Sequence, residues 1–109
     1  MSSPTCHLME QKQFASHSQL TFETARTLEY GPGRRLWLLR CVECGQYYLK
    51  GYQQLQDWAD GEGQARVYYR PITPDQVREI DQSLERAREL LYSRPYILWD
   101  EQGQLRWWL

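Results

Sequence analysis

The residues Cys41-Val42-Glu43-Cys44-Gly45 are the part of the sequence whose types and spacing most directly suggest chemistry. Two cysteines separated by two residues and followed by glycine present two thiolates from one tight turn, as in half of a tetrahedral zinc site. A redox pair of the same spacing instead begins a helix, whose N-terminus lowers the pKa of the first thiol. Residues typical of strands follow Cys44, so the pattern favours metal binding over redox chemistry.

A complete zinc site needs two further ligands, and the only other cysteine is Cys6. Met9 stands where the second cysteine of that pair would be, and methionine is a poor ligand for zinc. Both histidines of the chain, His7 and His17, lie near Cys6. The sequence therefore predicts a zinc site with four ligands: Cys6, His7, Cys41 and Cys44. Two alternatives stay open, since His17 can replace His7, and the turn can keep its shape without a metal.

A second candidate site is an acidic segment with three carboxylates around one tryptophan: Asp57, Trp58, Asp60 and Glu62. The segment lacks the frame and the terminal bidentate glutamate of a calcium-binding EF-hand loop. It is either a solvated turn between strands or an acidic projection that enters a cationic cleft on another protein. Complementary charge of the second kind speeds association and selects the partner. We predict that these four residues bind a partner.

Tyrosines recur in the two segments that flank this acidic loop. Adjacent residues of a strand point to opposite faces, which predicts that one ring of each adjacent pair is buried and the other is outward. Outward tyrosines are favourable at protein interfaces, and we predict that Tyr48 and Tyr68 contact the partner. A row of rings also suits single-stranded nucleic acid, although only three basic residues lie between these tyrosines: Lys50, Arg66 and Arg70.

Composition limits the classes of function. The 109 residues contain 13 Lys and Arg against 14 Asp and Glu, for a formal net charge of -1. This balance disfavours nucleic acid as the partner, because phosphate binding usually requires a basic excess. The sequence has no apolar run of the roughly 20 residues that span a membrane and no apolar signal-peptide core. We expect one cytoplasmic domain over 1–109, loosely held over 1–13, without a membrane partner.

Catalytic motifs give no support for an enzyme. The sequence contains no Gly-x-Ser-x-Gly, no phosphate-binding loop and no His-Glu-x-x-His pattern. Cys44 with a distant histidine is the one arrangement that resembles an activated nucleophile. An enzyme that uses this thiol or a bound zinc is accordingly the third hypothesis, after protein binding and nucleic-acid binding.

The elements that must position these residues are strands and a helix. Turn-forming residues separate apolar stretches and predict three antiparallel strands near 35–41, 46–53 and 65–71. Residues 14–30 keep no clean period; a short strand is expected over 19–22 and a short helix over 22–30. Residues 97–109 resemble a hairpin.

A helix over about 74–92 is the clearest element. Thr73 and Pro74 form a typical start, and apolar residues then recur at spacings of three and four. The expected fold class is therefore α+β, with a small antiparallel sheet of zinc-ribbon type, one amphipathic helix and a C-terminal hairpin.

Three motifs resemble those of a group of small bacterial zinc-ribbon-like proteins, many of them encoded beside secreted toxins as immunity proteins. The matching pieces are CVECGQYY, DWADGEG and VYYRPITPDQVREI, within about residues 36–92. The resemblance implies an immunity protein that neutralises a cognate toxin by direct binding and occlusion of its active site. It transfers no catalytic residues, and Met9 departs from a full ribbon. The alternative function is that of a nucleic-acid-binding or regulatory zinc ribbon.

Overall fold

The computed structural model describes residues 7–15, 17–31, 34–55, 64–100 and 103–109. In these residues, seven strands form: β1 Gln13–Phe14, β2 Phe22–Gly31, β3 Arg34–Cys41, β4 Tyr47–Leu55, β5 Gln64–Ile72, β6 Tyr96–Trp99 and β7 Leu105–Trp108. The helices are α1 Pro74–Gln82 and α2 Leu84–Leu91, with short 3-10 helices at His7–Glu10 and His17–Gln19. Neither α-helix of the described residues is long and apolar enough to cross a membrane.

The strands form one antiparallel sheet in the order β1-β7-β6-β5-β4-β3-β2. From β2 to β7, strands that follow each other in the chain are neighbours in the sheet, which is a meander interrupted by α1 and α2. β1 joins at the opposite edge, where Phe14 lies across from Leu105. The C-terminal hairpin is confirmed, because β6 pairs with β7 in an antiparallel register.

The predicted fold, a small zinc-ribbon sheet with one helix, is wrong. Strands near 35–41, 46–53 and 65–71 are present as β3, β4 and β5, but they are the middle of a seven-stranded sheet. Half of the described residues lie in strands and about a quarter in helices. The protein is therefore sheet-rich, because the strands on both sides of the predicted three extend the same hydrogen-bonded ladder.

The segment 22–30, expected as a helix, is the edge strand β2. Its pairing with β3 shifts register between Thr24 and Arg26 and again between Thr27 and Glu29. Each shift inserts a bulge, and bulges interrupt the two-residue alternation that identifies a strand. This explains why the apolar residues of the segment follow no period.

The single helix predicted over 74–92 is two helices that meet at Ser83. Thr73 begins α1 as expected: its hydroxyl accepts from the N–H of Gln76, whose side chain accepts in return from the N–H of Thr73. Ser83 is extended, with φ -153 and ψ 115, and its hydroxyl accepts from the N–H of Arg86. A serine oxygen that caps a new helix competes with the continuing one.

The two helices cover one face of the sheet, which we call the helix face. Its buried core is Leu36, Leu38, Leu49, Tyr68, Ile72, Ile80, Ala87, Leu90, Leu91 and Leu98. Gly51 of β4 lies directly under α2, because a Cβ built there would be 2.1 Å from Leu91 Cδ2. The missing side chain lets the helix approach the sheet closely.

We call the other face the open face, because its core contains no residue of α1 or α2. That core is Leu8, Phe14, Leu39, Cys41, Tyr48, Val67, Tyr69, Ile97 and Leu105. The N-terminal segment lies over part of it: Leu8 is fully buried, and its carbonyl accepts a 2.8 Å hydrogen bond from Trp107 Nε1.

Candidate functional site

The cysteine turn joins the end of β3 to the start of β4. Its backbone is closed by two 2.9 Å hydrogen bonds, from the Cys41 N–H to the Gln46 carbonyl and from the Gly45 N–H to the Cys41 carbonyl. Gly45 has φ +80, a conformation that glycine adopts at no steric cost. Cys41 is buried and Cys44 is exposed, and both are free thiols. The turn therefore presents one thiol to the core and one to the surface.

Groups around Cys41 favour its thiolate. Burial raises the pKa of the Cys41 thiol. Hydrogen bonds from the backbone N–H of Cys44 and from the Thr21 side chain lower this pKa, and so do those from the Glu43 N–H and the Cys44 side chain; together they outweigh the effect of burial. The pKa of Cys41 therefore lies below its ordinary value, because donors to a charged form stabilise that form. The Thr21 hydroxyl oxygen is 3.6 Å from Cys41 Sγ.

Of the four predicted zinc ligands, the structure brings together Cys41 and Cys44 in one turn. Cys6 lies outside the described residues, as do the side chains of His7 and His17. Within the part of the chain that the structure describes, no three His, Cys, Asp or Glu side chains are grouped to hold a metal ion.

The predicted acidic projection stands between β4 and β5 in the chain. All four of its residues, Asp57, Trp58, Asp60 and Glu62, lie outside the described residues. Their role in partner binding stays a prediction from the sequence.

Tyr48 and Tyr68, predicted to point outward, are buried. Tyr48 is fully buried in the open-face core, and Tyr68 is 6% exposed in the helix-face core. The ring of Tyr68 also contacts Tyr92 and Tyr96 edge-on, with centroids 5.2 Å apart in each pair. Within each adjacent pair the rings do lie on opposite faces, Tyr47 opposite Tyr48 and Tyr68 opposite Tyr69, but both faces are covered at these positions. Their part in partner binding stays a prediction.

Partly exposed aromatic side chains instead surround Lys50 on the open face. Lys50 lies across from Trp37 on one side and Tyr69 on the other. Its Nζ is 4.9 Å from the Trp37 ring centroid and 5.7 Å from that of Tyr69. In the next row, Val67 lies between Tyr52 and Trp99. We call Trp37, Lys50, Tyr52 and Trp99 the Lys50 patch; all four are partly exposed.

The charge of Lys50 is only partly compensated. Burial lowers the pKa of Lys50, because a low-dielectric environment disfavours its charged form. The Trp37 and Tyr69 rings offset part of this penalty through cation–π attraction. No carboxylate of the described residues forms an ion pair with Lys50.

A groove of about 310 Å³ lies on the helix face, beyond the end of α2. It is lined by three aromatic and two basic side chains: Tyr68, Tyr96, Trp108, Arg66 and Arg94. Leu98 and Asp100 complete the lining. Rings and guanidinium groups together suit planar ligands, but the groove is open and broad.

Sequence reasoning missed the Lys50 patch, although each of its residues is visible in the printed sequence. Its side chains come from β3, β4 and β6, and they meet only through the register of the sheet. The signal in the sequence is a lysine among alternating tyrosines, a pattern that the sequence analysis relates only to nucleic-acid binding.

Comparison with protein-family models, curated proteins and solved structures gave no match to this chain. The resemblance to toxin-neutralising proteins therefore rests on the three sequence motifs alone.

Proposed function

We propose that this protein is a non-enzymatic binding module that holds another protein against the open face of its sheet. The observation that supports this best is the Lys50 patch. Tryptophan and tyrosine are enriched among the residues that dominate interface energies. A stable interface buries about 800 Å² on each partner, and the patch supplies aromatic anchors for such an area.

Lys50 gives the proposed interface its specificity. A half-buried ammonium that lacks an ion-pair partner among the described residues selects a partner that brings a carboxylate to it. The surrounding rings exclude water from the pair and so strengthen it. The proposal therefore includes at least one acidic residue of the partner at the centre of the contact.

The partner in this proposal is a secreted bacterial toxin, neutralised by occlusion of its active site. The support for this class is the resemblance of the motifs at 41–48, 57–63 and 67–80 to those of immunity proteins. The protein would then act in the bacterial cytoplasm, where a toxin must be neutralised to protect the cell that makes it.

Reversal of the acidic projection tests this function. Replacing Asp57, Asp60 and Glu62 by lysine should slow association and weaken the toxin complex by about 2–5 kcal/mol where an acid is buried against a cation. The measurement is surface-plasmon-resonance kinetics with the partner isolated from source cells. A matched control reverses three exposed acids of the helices, Asp75, Glu85 and Glu89, and should leave the dissociation constant within about twofold.

Nucleic-acid binding is the second candidate, and one observation favours it. On the open face, Arg35 lies 4.7 Å from the Tyr30 centroid and 5.6 Å from that of Tyr52. Lys50 contacts Trp37 in the same way. Stacked cations and rings are typical of single-strand binding surfaces. The same three lysine substitutions would then strengthen binding to DNA or RNA, which is the opposite outcome.

We also propose that the cysteine turn binds zinc together with Cys6 and His7. The observation in support is the closed turn around Gly45, which presents Cys41 and Cys44 from one backbone reversal. Zinc bound there would link the N-terminal segment to the end of β3. Its role would be structural, since all four ligands come from the protein.

Protein purified without chelator should carry about one equivalent of zinc per chain, measured by elemental analysis. Cys44→Ser should reduce this to near zero, because serine is a much weaker zinc ligand than a thiolate. Cys44 is exposed, so the substitution leaves the core unchanged. Wild-type protein that contains no metal after the same preparation would contradict the zinc site and leave a turn without a cofactor.

A further inference from the structure

A small cavity of about 110 Å³ lies between α2 and the neighbouring ends of β2, β3 and β4. Its walls are two leucines, two tyrosines and three charged side chains: Leu36, Leu91, Tyr52, Tyr92, Glu29, Arg35 and Arg88. For comparison, a cavity of about 150 Å³ in another protein accommodates benzene. The space therefore fits a molecule of a few heavy atoms, and its charged walls favour a polar one.

The guanidinium group of Arg35 is positioned to bind an anion. Its guanidinium carbon lies 4.7 Å from the Tyr30 ring centroid and 5.6 Å from that of Tyr52. Stacking of this kind fixes the plane of the guanidinium while its N–H groups stay available at the edge. Arg35 forms no ion pair with a carboxylate of the described residues, and its Nε is buried without a hydrogen-bond partner.

The ion pair between Glu29 and Arg88 contributes the other polar groups. Arg88 Nη2 donates to Glu29 Oε2 and so joins β2 to α2. Glu29 Oε1 and Arg88 Nε are buried without hydrogen-bond partners. With Arg35 Nε, the lining side chains thus hold two unpaired donors and one unpaired acceptor. Buried polar groups in native proteins are nearly always paired, so this set is unusual and makes the lining of the cavity polar.

We propose that this cavity binds a small monocarboxylate that carries an N–H or O–H donor next to its carboxylate, as 2-hydroxy acids and amino acids do. The carboxylate pairs with the guanidinium groups of Arg35 and Arg88, and the adjacent donor reaches Glu29. Two guanidinium groups and one carboxylate leave a lining charge of one positive unit, which suits a single carboxylate. Glu29 repels a second negative charge, so dicarboxylates and phosphate dianions are disfavoured. The cavity shares Tyr52 with the Lys50 patch, but its charged groups, Glu29, Arg35 and Arg88, are not members of that patch.

Titration of the ¹⁵N-labelled full chain tests the proposal, with glycolate, glycine and acetate as the probes. Glycolate or glycine should produce saturable NMR shifts of the Arg35 and Arg88 Nε–H signals. Whichever of glycolate and glycine binds more tightly shows whether the ligand is a hydroxy acid or an amino acid. Acetate lacks the second donor and should bind at least about fivefold more weakly. Arg106, whose guanidinium lies 4.9 Å from the Trp108 centroid, is an internal reference and should not shift.

Two substitutions at the site and one control elsewhere separate this site from unspecific anion binding. Arg35→Gln should weaken glycolate or glycine binding by at least about tenfold, whereas Arg106→Gln should leave it unchanged. Glu29→Gln keeps an oxygen for Arg88 but loses the negative charge, so acetate should then bind within about twofold of glycolate. This loss of the preference for glycolate over acetate tests the proposal even if the Arg35→Gln variant fails to fold.

Three results would overturn the proposal: no saturable shift at tens of millimolar probe, equal shifts at Arg106, or a preference for glycolate that survives Glu29→Gln.

Discussion

Replacement of Gly51 by alanine should lower the free energy of unfolding by about 1–3 kcal/mol. The added Cβ would lie 2.1 Å from Leu91 Cδ2 and 3.0 Å from Leu91 Cγ. Leu91 is 2% exposed and packed between α2 and the sheet, so its side chain has little room to move. The helix must shift or the leucine must adopt a strained rotamer. Urea unfolding followed by circular dichroism gives the free energy directly.

A second substitution shows whether the contact with Leu91 is the cause. Leu91→Ala alone should cost about 2–5 kcal/mol, because it leaves a cavity in the helix-face core. In that background Gly51→Ala should be neutral or stabilising, since the new methyl group fills part of the space. Gly103→Ala is the control: Gly103 has φ +82 and no atom within 4 Å of a built Cβ, so its cost is backbone strain and should be equal in both backgrounds. Equal destabilisation by Gly51→Ala in both backgrounds would contradict this account.

Charge reversal at Lys50 should weaken partner binding by about 2–5 kcal/mol, which corresponds to roughly thirtyfold or more. The glutamate would face the proposed partner carboxylate among the rings of Trp37 and Tyr69. Isothermal titration calorimetry with the isolated partner measures the change. Arg78→Glu makes the same change in charge on α1, where the Arg78 side chain is 78% exposed, and should alter affinity by less than about twofold. Equal losses in both variants would show that the open face is not the interface.

Lys50→Met separates the binding role of the charge from its effect on stability. Burial lowers the pKa of Lys50, so the folded state disfavours the ammonium, and methionine should stabilise the fold at neutral pH while weakening binding. The folded wild type binds fewer protons than the unfolded chain between its lowered pKa and the ordinary value of 10.5. Wild-type stability should therefore rise relative to the methionine variant as pH approaches 10.5. Tyr69, whose pKa burial raises to about 12, is present in both proteins and cancels in the difference.

The sequence predicted the parts of the fold that depend on local signals. Thr73 and Gln76 form the capping box that their spacing indicated, and the breakers around Gly45 and Gly103 mark reversals that the structure contains. Ser83 was missed because the apolar stripe continues across it. A serine can nevertheless begin a new helix, because its hydroxyl accepts from the backbone N–H three residues later, which here is that of Arg86.

Long-range pairing was beyond local patterns. β1 lies beside β7, and Phe14 packs at Leu105, which no periodicity of either short segment indicates. The candidate functional site shows the same difference between local and long-range signals. Spacing identified Cys41 and Cys44 as one turn, but the patch around Lys50 exists only because β3, β4, β5 and β6 align in one register.

The central claim is that the open face binds a protein through Lys50 and the rings beside it. The most direct test compares the affinities of wild type, Lys50→Glu and Arg78→Glu for the protein that wild type captures from its source cells. We predict one protein partner, bound at least about thirtyfold more weakly by Lys50→Glu and within about twofold of wild type by Arg78→Glu. Capture of nucleic acid without a protein partner, or undiminished binding by Lys50→Glu, would contradict the claim.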